Sequence, residues 1–337
     1  MSLNDEMIWM TRRELLRRSA ILAGGAALVS GFHRSTQAAL ASPFDHPLGQ
    51  AAQKAVDPVD AMRAQLAAAP IESLTLGDHL TMLSGPGGNV VVLNGADGKI
   101  VVDSFVQPVW AKLKQTLDGM GSPPVKVLID THWHLDHSDN NGNFHAAGAE
   151  ILAHDNTKKR LSETHDLLGM HFVPVPAGAL PTRTFAATEQ LEANGETVHL
   201  AYVAPAHTDT DIYIHFTKGN VLHLGDLFFN GTYPFIDTTT GGNINGMIAS
   251  AESIMKMADD QTKIVPGHGP LGDKAALGRF RDVMVTVRDR VQKLKAGGQT
   301  LEDVLAKKPT ADLDGVWGKG FMPPDLFVTV VYNTVTP

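Results

Sequence analysis

The sequence predicts an α/β layered sandwich, with helices outside two sheets. Three observations carry this. From Glu72 onward short apolar runs alternate with turn residues, strands predominate in each half of the chain, and each half closes in helical patterns. A chain of 337 residues can bury a large core. No composition break or Pro/Ser-rich linker divides residues 72–337, so that stretch is expected to form one domain.

Residues 42–71 are rich in Ala and Pro and read as a partly helical lead-in. Residues 74–83, 89–93 and 99–105 read as strands, joined by Gly85-Pro86-Gly87-Gly88 and Gly95-Ala96-Asp97-Gly98. Pro108 opens a predicted helix through Met120, because proline is tolerated in a first helical turn. The β-branched run 125–129 is a predicted strand. A strand at 151–153, a helix at 156–168 and strands at 184–187, 197–203, 212–217 and 220–224 follow. The pattern then predicts a helix at 246–258, a strand at 263–265 and helices at 273–296 and 325–332. The aromatic C-terminal stretch, with Trp317, Phe321, Phe327 and Tyr332, is expected to cover the domain's own core.

Directly after the strand at 125–129 comes Thr131-His132-Trp133-His134-Leu135-Asp136-His137, three imidazoles and one carboxylate in six consecutive positions. On a regular helix or strand these groups would fall on different faces, but a tight turn leaving a strand can aim them into one volume. Imidazole nitrogen together with carboxylate oxygen suits Zn²⁺ first. Further ligands are expected downstream at His207 in Pro205-Ala206-His207, Asp226 in Leu224-Gly225-Asp226 and His268 in Pro266-Gly267-His268-Gly269, each after an apolar strand. The chain has no cysteine, which removes thiolate ligands and nucleophiles and excludes disulfides.

In the order of these segments the chain resembles the metallo-β-lactamase superfamily, from about Glu72 to the C-terminus. The resemblance implies a four-layer αββα sandwich with the site at one edge between the sheets. Position by position, it implies that His132, His134 and His207 hold a first metal, that Asp136, His137 and His268 hold a second, and that Asp226 bridges them. The implied cofactor is two Zn²⁺ per chain, with Fe or Mn as other ions this set can take. Two divalent ions sharing a water can lower its pKa towards about 7 and polarise a carbonyl, so hydrolysis is the expected chemistry. Asp136 is then expected to orient the nucleophile or pass a proton, and Tyr233 is a candidate donor to the substrate oxygen. One class of antibiotic-hydrolysing members uses a Cys ligand; its absence here, with Asp226 present, shifts the expected bond from a β-lactam towards a lactone, ester or thioester. The alternatives are an iron-dependent oxidoreductase of the persulfide dioxygenase kind and a non-catalytic metal-binding protein of the periplasm.

Asp103, Thr131 and Asp211 are expected to steady the ligating imidazoles. His145, His154, His165, His171, His199, His215 and His223 read as non-ligands, and replacing His223 is expected to do little to metal content or turnover. Residues 163–176 are a candidate flap over the site.

Residues 1–41 read as an export signal: Thr11-Arg12-Arg13-Glu14-Leu15-Leu16-Arg17 resembles the twin-arginine pattern, an apolar stretch follows, and cleavage is expected after Ala38 or Ala41. The expected location is the bacterial periplasm or the exterior, with no membrane association after cleavage. A formal net charge of −8 repels phosphate backbones and anionic membranes, so nucleic acid is not expected as a partner and a small-molecule substrate is.

Overall fold

The computed structural model describes residues 56–121 and 123–336; the predicted export signal and the first part of the lead-in lie outside the described residues. Its frame is two sheets packed face to face. The seven-stranded sheet has the order β1-β2-β3-β4-β5-β6-β9, with β1 at Glu72–Thr75, β2 at Leu80–Ser84, β3 at Val90–Leu93, β4 at Lys99–Val102, β5 at Val125–Ile129, β6 at Glu150–His154 and β9 at Arg183–Phe185. The five-stranded sheet runs β10-β11-β12-β13-β14, at Thr188–Ala193, Glu196–Tyr202, Ile212–Phe216, Val221–His223 and Lys263–Val265. A separate hairpin pairs β7, His165–Leu167, with β8, Met170–Phe172.

Every residue of β3 and β4 is buried, because both faces of their sheet are covered. Val91, Val102, Ile129 and Leu152 face the other sheet and meet Val198, Leu200, Ile212, Ile214 and Phe216. Val90, Val92, Val101 and Leu128 point outward onto a helix at Trp110–Gly119 through Leu113 and Leu117. The far side of the second sheet is covered by helices at Ile244–Met257, Lys274–Ala296 and Pro324–Thr334, which bury Met247, Ile254, Phe280, Met284 and Phe327. The predicted αββα layering is thus observed.

Three local expectations are corrected. Residues 74–83 form two antiparallel strands, with Glu72 opposite Ser84, because Gly77-Asp78-His79 turns the chain between them. The helix expected over 156–168 is Asp155–Leu161; beyond it lies the β7–β8 hairpin, whose turn residues Leu168 and Gly169 both take positive φ (52° and 74°). Strand β10 was not foreseen: it is a polar edge strand, Thr-Glu-Gln-Leu-Glu-Ala, with no fully buried position to give it an apolar signature.

Candidate metal centre

The site gathers where strands end. β5 runs parallel to β4 and β6, and at its end the chain turns through Thr131–His134 into a short helix at Leu135–Ser138. His132 and His134 thus precede the helix, while Asp136 and His137 sit on its only turn. The turn is tied to the second sheet, since the Ile212 amide donates to the Thr131 carbonyl (2.9 Å). From that sheet His207 lies on the loop between β11 and β12, Asp226 lies just after β13, and His268 follows the parallel neighbour β14.

The seven residues fall into two groups, His132, His134, His207 and Asp226 in one, Asp136, His137 and His268 in the other. In each group one ligand atom per residue lies within 4.8 Å of the others. Asp226 belongs to both in effect. Its Oδ2 lies 3.4 Å from His207 Nε2 and 3.9 Å from His132 Nε2, while its Oδ1 lies 3.3 Å from His137 Nε2 and 3.4 Å from His268 Nε2. His134 Nδ1 is 2.9 Å from His207 Nε2, and Asp136 Oδ2 is 3.3 Å from His268 Nε2.

Residues 83–268, more than half of the chain, match the family described as the Metallo-beta-lactamase superfamily. The chain belongs to this superfamily. Among its relatives, the 2,4-dinitroanisole O-demethylase subunit alpha of Nocardioides sp. (strain JS1661) is 30% identical over 152 residues, 43% of this chain and 43% of that protein. The Metallo-beta-lactamase type 2 of Bacillus cereus is 24% identical over 197 residues, 58% of this chain and 72% of that protein. The chain thus spans less than half the length of the first of these relatives. In fold it is similar to a metallo-beta-lactamase from Pontibacter korlensis (TM-score 0.53, 16% identity, 64% of this chain and 99% of that one). It is also similar to the stereoselective inverting sec-alkylsulfatase Pisa1 from Pseudomonas sp. (TM-score 0.60, 13% identity, 78% of this chain and 50% of that one).

The superfamily's metal chemistry can be tested against the residues present. His132 Nε2 and Asp226 Oδ1 are buried polar atoms without a hydrogen-bond partner among the described residues, and both face the group of ligand atoms. Burying such groups unsatisfied is costly, and a divalent cation is the partner that imidazole nitrogen and carboxylate oxygen share. The backbone also presses close: a Cβ on Gly267 would stand 1.9 Å from Asp226 Oδ1, and one on Gly88 would stand 2.2 Å from His137 Cε1. The residues fit divalent metal ions.

Electrostatics separates the two groups. Burial and the neighbouring His137 hold the His132 imidazole well below its usual range, and burial lowers His207 to about 4. These rings are neutral at pH 7. In the second group burial is outweighed by carboxylates: Asp226 and Asp136 push His268 up to about 10, and Asp226, Asp103 and Asp136 push His137 well up. Those same imidazoles overcome the upward effect of burial on Asp136 and Asp226 and hold both carboxyls well below the carboxylate range.

Outer partners select which ring nitrogen faces the centre. Thr131 Oγ1 donates to Asp103 Oδ2 (2.9 Å) and lies 3.0 Å from His132 Nδ1, which leaves His132 Nε2 inward. Asp103 Oδ2 also lies 2.7 Å from His137 Nδ1. His207 Nδ1 donates to the Phe235 carbonyl (2.8 Å), and Asp211 accepts from the His207 and Thr208 amides (2.9 and 2.8 Å). Asp103, Thr131 and Asp211 therefore touch the imidazoles or their loops, as expected from the sequence.

Sequence reasoning missed three other supports. Asp237 Oδ2 lies 3.3 Å from His134 Nε2 and also accepts from Thr240 Oγ1 (2.7 Å), while its Oδ1 accepts from the Thr239 amide (2.9 Å). Asn89 donates from its backbone to Gly267 O (2.7 Å) and from Nδ2 to Pro266 O and Gly269 O (2.9 Å each), gripping the loop that carries His268. His223, read as a non-ligand, is fully buried; its Nε2 donates to Asn89 O (3.1 Å) and its Nδ1 accepts from the Gly225 amide (3.0 Å), beside Asp226. An Asp-Thr-Thr run and a Gly-Gly-Asn run were the only signals for the first two, and each also reads as an ordinary turn.

Tyr233 is corrected. Its ring stacks on Phe327 (4.7 Å) in the helical layer, and its hydroxyl donates to Asp314 Oδ1 (2.9 Å), so it packs a core and is already partnered. The walls beside the imidazoles are aromatic instead. Phe229 stacks on His268 (5.1 Å), Phe235 lies 5.7 Å from His134, and Trp133 sits between His134 (4.8 Å) and His165 (4.5 Å) of the hairpin in the predicted flap.

Proposed function

We propose that this superfamily member is a dinuclear metal-dependent hydrolase, zinc being its first-choice ion, that acts on a lactone, ester or thioester carbonyl. The observation that carries the reading is the split of the Asp226 carboxylate, one oxygen towards His132 and His207 and the other towards His137 and His268. His132, His134 and His207 would hold one ion, Asp136, His137 and His268 the other, with Asp226 shared. Such ions supply a nucleophile at neutral pH and a Lewis acid for the carbonyl oxygen. An anionic shared ligand offsets part of their charge, which favours activated esters and lactones over amides.

The chain's own residues do the rest. Asp136, held ionised and partly open to solvent, can orient the attacking group and accept its proton at Oδ2. Trp133, Phe229 and Phe235 keep bulk water from the imidazoles and leave the face beside Asp136 and His268 as the approach. The twin-arginine-like segment at Arg12 and Arg13 supports action in the periplasm on a small-molecule substrate.

The test is hydrolysis of a panel made of a chromogenic cephalosporin, an acyl-homoserine lactone and a nitrophenyl ester, with and without chelator, alongside elemental analysis. Chelator-sensitive turnover of the lactone or ester, at two zinc ions per chain, is expected. One iron per chain with no zinc would overturn the reading in favour of the oxidoreductase alternative.

A further inference from the structure

Next to the metal-bearing turn lies a cavity of about 330 Å³ that contains none of the seven candidate ligands. Its floor is Trp133 and Leu135 of the turn itself; Leu161 closes one side, and Phe172, Val173 and Val175 of the hairpin and its exit form the roof. A helix at Pro58–Leu66 completes the wall with Val59, Asp60 and Arg63. The Trp133 indole separates the cavity from His134 by a single ring, with centroids 4.8 Å apart. A volume of this size is at the lower end of small-ligand pockets.

The charges around it exclude one class of occupant. Arg63 is gripped by Asp139 (2.7 and 2.9 Å) and Asp60 (3.0 Å), and Arg160 by Asp209 (2.6 and 3.1 Å) and Glu163 (3.4 Å). Each guanidinium in the lining is thus already matched by carboxylates, the two lining imidazoles are engaged as well, His165 Nε2 with the Arg160 carbonyl (2.9 Å) and His171 Nδ1 with Asp166 Oδ1 (2.8 Å), and Asp57, Asp60, Asp139 and Glu163 outnumber Arg63 and Arg160. An anionic group would meet repulsion with no free guanidinium to bind it. Val173 stands 66% exposed at the lip, an apolar side chain that an apolar occupant would cover.

We infer that this cavity binds an uncharged apolar tail of the substrate, an acyl or alkyl chain, while the reacting carbonyl lies at the Asp226 centre. The inference rests on the hydrolase reading for its link to catalysis, and the cavity itself can be tested without turnover. Calorimetric titration of the metal-loaded full chain with straight-chain alkanols from butanol to decanol should show affinity rising about fourfold per methylene until the cavity is full, the ratio expected for burying one CH₂. Alkanoates of equal length should bind at least about tenfold more weakly, as expected where an added carboxylate meets an acidic lining whose guanidinium groups are already paired. In Val173→Asp and in Phe172→Ala the dependence on chain length should flatten. Wild-type affinity that does not change with chain length, or an undiminished slope in both variants, would overturn the inference.

Nitrophenyl esters from acetate to octanoate then tie the cavity to catalysis. The octanoate-to-acetate ratio of kcat/KM should rise in the wild type and fall in the same variants, and an unchanged ratio would overturn the assignment. Alkanol binding with no ester or lactone turnover would overturn the proposed function and leave the cavity as a binding site.

Discussion

At Gly267 a methyl group would stand 1.9 Å from Asp226 Oδ1 and 2.7 Å from the Gly225 backbone, so Gly267→Ala has to displace the carboxylate shared by both groups. Metal affinity is expected to fall at least about tenfold, read by elemental analysis after dialysis against a weak chelator. His223 and Asp226, three residues apart, separate two kinds of buried polar residue. Asp226→Ala removes a ligand and should empty the centre. His223→Phe leaves Asn89 O and the Gly225 amide buried and unpaired, each worth about 1–3 kcal/mol. The metal-free variant should therefore unfold at clearly lower denaturant, with a loss of roughly 2–6 kcal/mol. A metal-free His223→Phe protein as stable as the metal-free wild type would refute the clamp assigned to His223.

Among the elements, the short ones matter most for the site. The 3₁₀ turn at Thr238–Thr240 is capped by Asp237, whose carboxylate also meets His134. Asp237→Ala unties both, and chelator competition should show the His132/His134/His207 site weakened about 10- to 100-fold, with Asp237→Asn closer to wild type. The turn precedes the helix at Ile244–Met257, whose cap residue Asn243 donates its amide to Ala206 O, beside His207. One continuous segment thus holds two imidazoles of the same group from outside. The long elements carry little of the site's chemistry and instead set where its loops emerge.

For the molecule as a whole, His132, His134, Asp136 and His137 come from the turn after β5 of the seven-stranded sheet, and His207, Asp226 and His268 come from loops of the five-stranded one. Ions held there would link the two sheets, so chelation should lower the melting temperature by roughly 5–10 °C at ordinary metal excess. Acid should act in two stages. A ligand with a raised pKa must lose its proton to bind metal, and His268 and His137 are raised, whereas His207 is lowered to about 4 and His132 lies well below its usual range. As pH falls from 8, the site with His137 and His268 is expected to empty before the site with His132 and His207. Metal per chain after dialysis at stepped pH checks this through a plateau at one ion; simultaneous loss of both would refute it.

Much of this was legible in the chain. Strands of continuous apolar residues, such as Val90–Leu93, read clearly because both faces are buried, and the His132–His137 run stands out because few structural roles call for so many imidazoles together. Local composition thus determined the layered fold class and the candidate ligands. Asp237, Asn89 and His223 could not be identified in this way: their partners lie 103, 180 and 134 residues away, and their neighbours in sequence suit ordinary turns equally well. Tyr233 failed for the converse reason, since closeness to Asp226 in sequence does not decide which layer a ring enters. The residue types able to hold metal are written locally; which nitrogen faces inward, which loops are clamped and which aromatics line the walls depend on contacts that exist only once the two sheets have packed.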